Sequence, residues 1–379
     1  MTYNNNSVRN RINNGMNMKV VTIVIQVGIL LELLLSCTSQ PQPNLRVETF
    51  EMDFVNSSQF EVKGQLLNKE IPGLQSIIVY DSILIALTTN PNAQLQVFST
   101  NTMEEIGSFC KKGRASNEFF NVFSVTNQIY ERSGHIILPL IDNMNDVKEV
   151  DITESLRNKK TIIGKKDVCL GAGLGYSFYL DNIIGDSRFE LLYNRFDGVE
   201  VTDVPCKYII KGPGKRENEL KIFNRLVEVD DKSEILCPFE STVIKHPTKN
   251  LFVNAFGCMD YLIFFDIEND RIFAIHQEGA PTFDDKFQNK CSDLFFNGGC
   301  ATETFIFLTY CHSKKTLADE KNGKKVQDIL IFDWNGSFVK GIKLDKRLRS
   351  IGFDEKKGRL YGMTPKEELY EYDLSTLLP

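Results

Sequence analysis

One short pattern recurs along this chain and narrows its fold more than any other feature. An apolar or aromatic strand ends on an acidic or small polar residue and runs straight into a turn. It appears at Leu95-Gln96-Val97-Phe98-Ser99, Lys148-Glu149-Val150-Asp151, Tyr261-Leu262-Ile263-Phe264-Phe265-Asp266, Ile329-Leu330-Ile331-Phe332-Asp333 and Leu369-Tyr370-Glu371-Tyr372-Asp373. The oxygen of an Asp or Ser side chain can accept an amide a few residues ahead, so each copy ends its strand in a fixed turn. Between Ser99, Asp151, Asp266, Asp333 and Asp373 the intervals are 52, 115, 67 and 40 residues. The second interval is about twice the others, so a copy is expected inside it, at Leu191-Leu192-Tyr193-Asn194-Arg195-Phe196-Asp197-Gly198. That makes six units.

Ahead of these units stands a leader. Val20 to Leu35 is a mostly apolar run following Lys19, and it closes on Leu34-Leu35-Ser36-Cys37. A basic start, a short apolar middle and a small residue before the cut make a secretory signal. The run is shorter than the ~20 apolar residues of a membrane span and carries Glu32. Leu-Leu-Ser-Cys resembles the bacterial lipobox, in which the cysteine sulfur is acylated and the chain is cut just before it. Residues 1–36 are therefore expected to be a signal peptide, with 1–15 upstream of the true start at Met16 or Met18. Cys37 is the lipidation site, and 37–44, with Thr38-Ser39-Gln40-Pro41-Gln42-Pro43, are a polar tether. Removing the leader leaves 343 residues. The leader carries Arg9, Arg11 and Lys19 against Glu32, so the formal charge falls from −6 to −8. An acidic surface gives nucleic acid no electrostatic reason to bind.

From about residue 45 onward, runs of Ile, Val, Phe, Tyr and Leu alternate with Asp, Asn and Gly, as in an all-β protein. Ser76-Ile77-Ile78-Val79-Tyr80, then Asp81-Ser82, then Ile83-Leu84-Ile85-Ala86-Leu87 reads as one hairpin. A four-stranded sheet cannot cover both of its faces, and repeated sheets solve this by stacking radially, typically at ~40–50 residues per blade. Six units over the mature chain average ~57 residues, which leaves room for insertions such as Lys314 to Val326. The expected fold is all-β, a six-bladed β-propeller over 45–379, with a β-sandwich pair or a β-helix as competing layouts. The strand around 47–55 is expected to close the ring by completing the sheet of 351–374, which would cover an edge.

Lys112-Gly113-Arg114-Ala115-Ser116-Asn117-Glu118-Phe119 follows the first blade's strands. It resembles the "G-R-G-P-x-E-F" signature of the TolB-like six-bladed propeller lipoproteins common in Bacteroidetes, with Ala115-Ser116 in place of Gly-Pro. Lys211-Gly212-Pro213-Gly214-Lys215-Arg216-Glu217-Asn218-Glu219-Leu220 looks like a degenerate second copy. The resemblance covers about 45–379. It implies an exported propeller behind a lipobox and brings no catalytic residues. The residues themselves point to a scaffold role: Gly113 for a tight turn between blades, Arg114 reaching Glu118 or a carbonyl, and Phe119 plugging the space between sheets.

Other motifs fall short of chemistry. Gly171-Ala172-Gly173-Leu174-Gly175 lacks dinucleotide spacing, and Gly212-Pro213-Gly214-Lys215 lacks the interval of a phosphate loop. Asp142-Asn143-Met144-Asn145-Asp146 alternates oxygen ligands, but Val147 stands where a calcium loop wants glycine, so an ordinary polar loop is expected. Of nine cysteines, eight follow Cys37, and none forms Cys-x-x-Cys. Cys291/Cys300 and Cys300/Cys311 are near enough in sequence for neighbouring strands to bridge them in an oxidising compartment. His135, His246, His276 and His312 are dispersed and read as surface or rim histidines. No metal, cofactor or catalytic residue is therefore assigned, and an enzyme is the less favoured class. The expected function is a ligand- or protein-binding module in the cell envelope, held to a membrane through its lipid and engaging envelope proteins or glycans. The alternative is a propeller hydrolase or lyase acting on an extracellular ester, lactone or glycan. After Cys37 no acidic residue occurs before Glu48. Because surface-exported lipoproteins of the resembling group often carry acidic residues there, the expected address is the outer membrane, with the periplasmic face favoured over the cell surface.

Overall fold

The computed structural model describes residues 45–54, 58–124, 129–142, 146–168, 176–181, 188–194, 207–211, 217–220, 241–257, 259–282, 293–314 and 327–378. Residues 1–44, which hold the expected signal peptide, Cys37 and tether, lie outside them, as do the glycine run 171–175 and residues 315–326. Within the described residues the strands form six sheets, each with an antiparallel body of strands consecutive in sequence, and three of them take one further strand from residues 48–67. We label them A (74–109), B (122–168), C (176–220), D (241–277), E (293–344) and F (350–373).

Why these segments are strands is clearest in sheet A. Ile83–Thr88 is buried at every position, because a second strand lies between two neighbouring sheets and has no wet face. Leu74–Tyr80 precedes it through Asp81-Ser82, where φ is 41° and 67°. Two consecutive positive φ values give the hairpin twist that matches paired strands. Outward, Leu95–Ser99 alternates buried and half-buried residues and Glu105–Phe109 is mostly exposed. The recurring strand ends behave as the pattern predicts. Asp266 Oδ1 accepts the Asn269 amide, Asp333 Oδ1 those of Asn335 and Ser337, Asp373 Oδ1 that of Ser375, and Ser99 Oγ that of Asn101. Asp151 instead caps a two-turn helix, Ile152–Asn158, through the Glu154 amide.

Each of four hydrophobic clusters is a seam between two sheets. Phe119, Leu138 and Val150 meet Ile85 and Val97 between A and B, and Leu84 and Phe98 meet Tyr361 and Met363 between A and F. Phe307 and Ile329 meet Phe353 and Tyr372 between E and F, and Phe264 and Ile275 meet Leu308 and Phe332 between D and E. First strands touch one another across the D–E, E–F and F–A seams, so they are the innermost strands. Five sheets thus pack in the succession B–A–F–E–D, against the expected six, and the strands of C fall between B and D in the chain.

Ring closure differs from the expectation. Glu48–Met52 does not complete sheet F; it pairs in parallel with Arg271–Gln277 outside D. Ser58–Val62 then pairs in parallel with Phe338–Leu344 outside E, and only Gln65–Leu67 joins Leu369–Asp373 as the fourth strand of F. The segment is a strap around three blades. Sequence shows that an apolar stretch will seek an edge, but several outer edges offer similar backbone partners. Burial of Phe54 among the D–E rings favours the D edge. The hidden copy is corrected too: Arg188–Asn194 is the second strand of C, and Lys207–Lys211 is the third, where Asp151 and Asp266 have their counterparts. Second and third strands are both interior to a blade, so their apolar patterns look alike. Cys300 and Cys311 do not bridge each other; Cys300 pairs in register with Phe307, which puts Cys311 farther along the strand.

Candidate functional site

The turns joining first to second strands gather at one end of the ring, because all the inner strands run the same way. Blade A contributes Tyr80 and Asp81 there, B contributes Glu131, D His246 and Thr248, E Glu303, and F Lys356. These residues are far apart in sequence but within electrostatic reach. The half-buried Tyr80 phenol is pushed up, first by burial, then by Glu131, Asp81 and Glu303. The Lys356 ammonium is raised by its hydrogen bond to Asp81, with smaller contributions from Asp354 and Glu131. Three exposed carboxylates, Asp81, Glu131 and Glu303, thus act on one half-buried phenol, and Lys356 pairs with Asp81 beside them.

Blade D's contribution is the most ordered. His246 is buried, and its Nδ1 accepts the amides of Thr248 and Lys249 at 3.1 Å each. Those two donors put the ring proton on Nε2. Nε2 lies 3.7 Å from Glu303 Oε2, which also accepts the Thr248 hydroxyl at 2.7 Å. The ring packs on Trp334, the one tryptophan of the chain, with centroids 4.8 Å apart. Burial, then Lys249 and Lys245, lower the imidazole pKa to about 4. At neutral pH His246 is therefore an uncharged ring that fixes its own turn, and the Thr248 hydroxyl holds Glu303. The ring has no free lone pair with which to act as a base.

A stability prediction follows. The unfolded chain protonates this histidine near pH 6.5 and the folded chain only near 4. The contribution is thus complete above pH 6.5 and is lost as pH falls toward 4, amounting to about 3 kcal/mol. His246→Asn keeps an acceptor for the two amides and removes the titration. Denaturant midpoints of this variant should fall less steeply between pH 6.5 and 4 than those of the wild type. Equal slopes would refute the assignment.

The other sequence-derived residues lie at the opposite end, in the connection between A and B. Gly113 leaves room for Glu118: a Cβ there would stand 1.9 Å from Glu118 Oε2, and the carboxylate would have to shift. That carboxylate accepts the Ala115 amide at 2.9 Å, while Arg114 is exposed at the loop surface. Phe119 is fully buried in the A–B seam, its carbonyl accepting from Gly113 N and Gln94 Nε2. Asp142, considered above as a calcium ligand, instead holds the Phe120 amide at 2.7 Å and Lys148 Nζ at 2.5 Å. Also at this end, a cavity of about 700 Å³ opens between residues 66–72 and 366–368. Its walls come from neighbouring segments at a single seam.

Histidine placement departs from the surface reading. His135 is half-exposed and bonded to Asp151 at 2.8 Å, whereas His246 and His276 are buried. Sequence reading missed Tyr80, Glu131, His246, Glu303 and Lys356 as a group, since no local spacing links them; only the Asp81-Ser82 turn was a signal. Among the described residues no three His, Cys, Asp or Glu side chains converge to hold a metal ion.

The fold has parallels among solved structures. A member of the DUF4221 family from Bacteroides vulgatus superposes with a TM-score of 0.51 at 10% identity, covering 83% of this chain and 98% of the other. An exported protein from Bacteroides fragilis gives 0.46 at 11% identity, covering 86% and 97%. A luciferin-regenerating enzyme gives 0.42 at 8% identity, covering 84% and 94%. No curated protein matches the chain. At such identities only the first comparison bears on the argument, and it bears on the fold alone. The profile described as TolB-like 6-blade propeller-like matches residues 74–356, from the first strand of A into F, and the chain belongs to that family.

Proposed function

We propose that this protein is a binding module of the cell envelope, tethered through acyl chains on Cys37, with sheet C completing a six-bladed ring. Its ligand or partner is taken at the mouth framed by Tyr80, Asp81, Glu131, Glu303 and Lys356. The observation that carries this reading is the electrostatic coupling of polar groups from four blades at one end of the ring, around a half-buried phenol. Such a surface suits a hydroxyl-rich or amine-bearing ligand, as in a glycan or a peptide: carboxylates accept hydrogen bonds, and Tyr80 adds a ring face. Loop signature residues Gly113, Glu118 and Phe119 belong to the scaffold in this reading. Periplasmic placement on the outer membrane rests on the Leu34–Cys37 lipobox and the non-acidic tether.

Native mass spectrometry against defined sets of oligosaccharides and peptides tests the mouth. Ligands retained by the wild type should be lost in Glu131→Gln/Glu303→Gln. Both positions are exposed, so the fold should be unaffected. Undiminished binding in that variant would refute the mouth as the site.

A further inference from the structure

We propose that the outer rim of blades D and E, made by the strap strands Glu48–Met52 and Ser58–Val62, rests against the lipid bilayer. Five large apolar side chains stand well exposed among the described residues, and Phe50, Phe60 and Leu66, three of the five, fall on the strap. These edge strands carry Glu48, Glu51 and Glu61, the usual blunting charges, yet each also exposes a phenylalanine, and that ring calls for a partner. Phe60 is accompanied by a cation, and Phe50 by a ring that carries one. Phe50 meets Phe273 edge-on at 6.1 Å, and the Arg271 guanidinium lies 4.4 Å from the Phe273 ring. Lys340 Nζ lies 4.6 Å from the Phe60 ring. Aromatic rings beside basic groups suit the headgroup zone, where rings reach the acyl boundary and cations meet phosphates.

The tether supplies the second half of the argument, and this part rests on the reading of Cys37 as acylated. The first described residue, Leu45, is eight residues beyond Cys37, a span of at most ~28 Å when fully extended. The strap begins at that point, so of the propeller's outer edges the D edge is joined to the anchor by the shortest stretch of chain. Two shallow rings would bind a bilayer weakly by themselves, but a tether keeps their local concentration high. Glu48, Glu51 and Glu61 on the same strands keep the contact at headgroup depth, because neither carboxylates nor open backbone edges enter hydrocarbon. A rim placed this way leaves both ends of the ring, and the mouth, open to solvent.

Bromolipid quenching tests this on the full chain, expressed in cells and reconstituted into phosphatidylethanolamine–phosphatidylglycerol vesicles. In a Trp334→Phe background, the indoles introduced by Phe50→Trp and Phe60→Trp should be quenched several-fold more than that of Phe120→Trp in the A–B connection. The mass of the N-terminal peptide reads acylation separately. Acylated protein with equal or no quenching at the three sites overturns the rim contact and leaves the anchor standing. Unacylated protein whose Phe60→Trp indole is quenched on vesicles supports the rim and removes the anchor. A doubled mass in solution, with the same indole shielded before lipid is added, assigns the face to a second copy and overturns the proposal.

Discussion

Lys148→Ala is expected to destabilise the protein by about 3–5 kcal/mol, because it strands a buried carboxylate. Only 9% of the Lys148 side chain and 8% of that of Asp142 are exposed. The ammonium bonds Asp142 Oδ2 at 2.5 Å and the Glu118 carbonyl at 2.6 Å, and lies 4.6 Å from the centre of the Phe119 ring. Asp142 Oδ1 meanwhile accepts the amides of Phe120 and Asn121. One lysine thus joins the signature loop to the inner strands of blade B. Its removal leaves a charge that water cannot reach and a carbonyl without its donor. Lys148→Met, which keeps most of the packing, should still lose most of this stability. Urea midpoints at constant slope measure the effect. A loss below about 1 kcal/mol, the range of an exposed pair, would show that the network is not the tie it is described to be.

The second large effect is at Phe54, the residue that seats the strap. It is fully buried, with the rings of Phe296, Tyr310, Phe332 and Phe338 at 6.4, 6.0, 5.8 and 6.5 Å. Its amide donates to Gln277 Oε1 at 3.0 Å. Phe54→Ala should cost about 3–5 kcal/mol through lost burial and the cavity left behind. The effect should also be localised. Amides of Glu48–Met52 and their partners in Arg271–Gln277 should exchange faster than those of Ile83–Thr88 in blade A. Uniform acceleration across both regions would mean that the strap has no separable stability and that Phe54 acts on the whole fold.

Much of the architecture was legible because strands carry local signals. Asp266, Asp333 and Asp373 announce their turns by their own chemistry, and the side-chain oxygens accept the amides ahead of them. Ile83–Thr88 reads as an interior strand because both its faces are covered, and an unbroken apolar run is the record of that. The same logic misplaced the copy at 191–198, since a strand's pattern reports how many faces are buried and not its rank within the blade. The strap's route was illegible for a related reason. Backbone hydrogen bonds are the same at every outer edge, and the choice among edges is made by where Phe54, Met52 and Val62 find a seam.

The candidate site was hidden for a different reason. Tyr80, Glu131, His246, Glu303 and Lys356 are ordinary turn residues one at a time, and nothing in their spacing couples them. His246 looked like a rim residue because it precedes Pro247 in a polar turn. Its burial comes from Trp334, which lies on another blade and 88 positions later.

The sequence by itself determined the strand repertoire, the turn chemistry that closes hairpins and the resemblance to the family. All of these are local, set by a few neighbouring residues and the side-chain oxygens between them. Tertiary structure alone decided which edge the strap covers, which histidines are buried and which charges share the mouth. Those outcomes depend on contacts between blades, and a chain that returns to its axis every few dozen residues brings together groups that no local pattern relates.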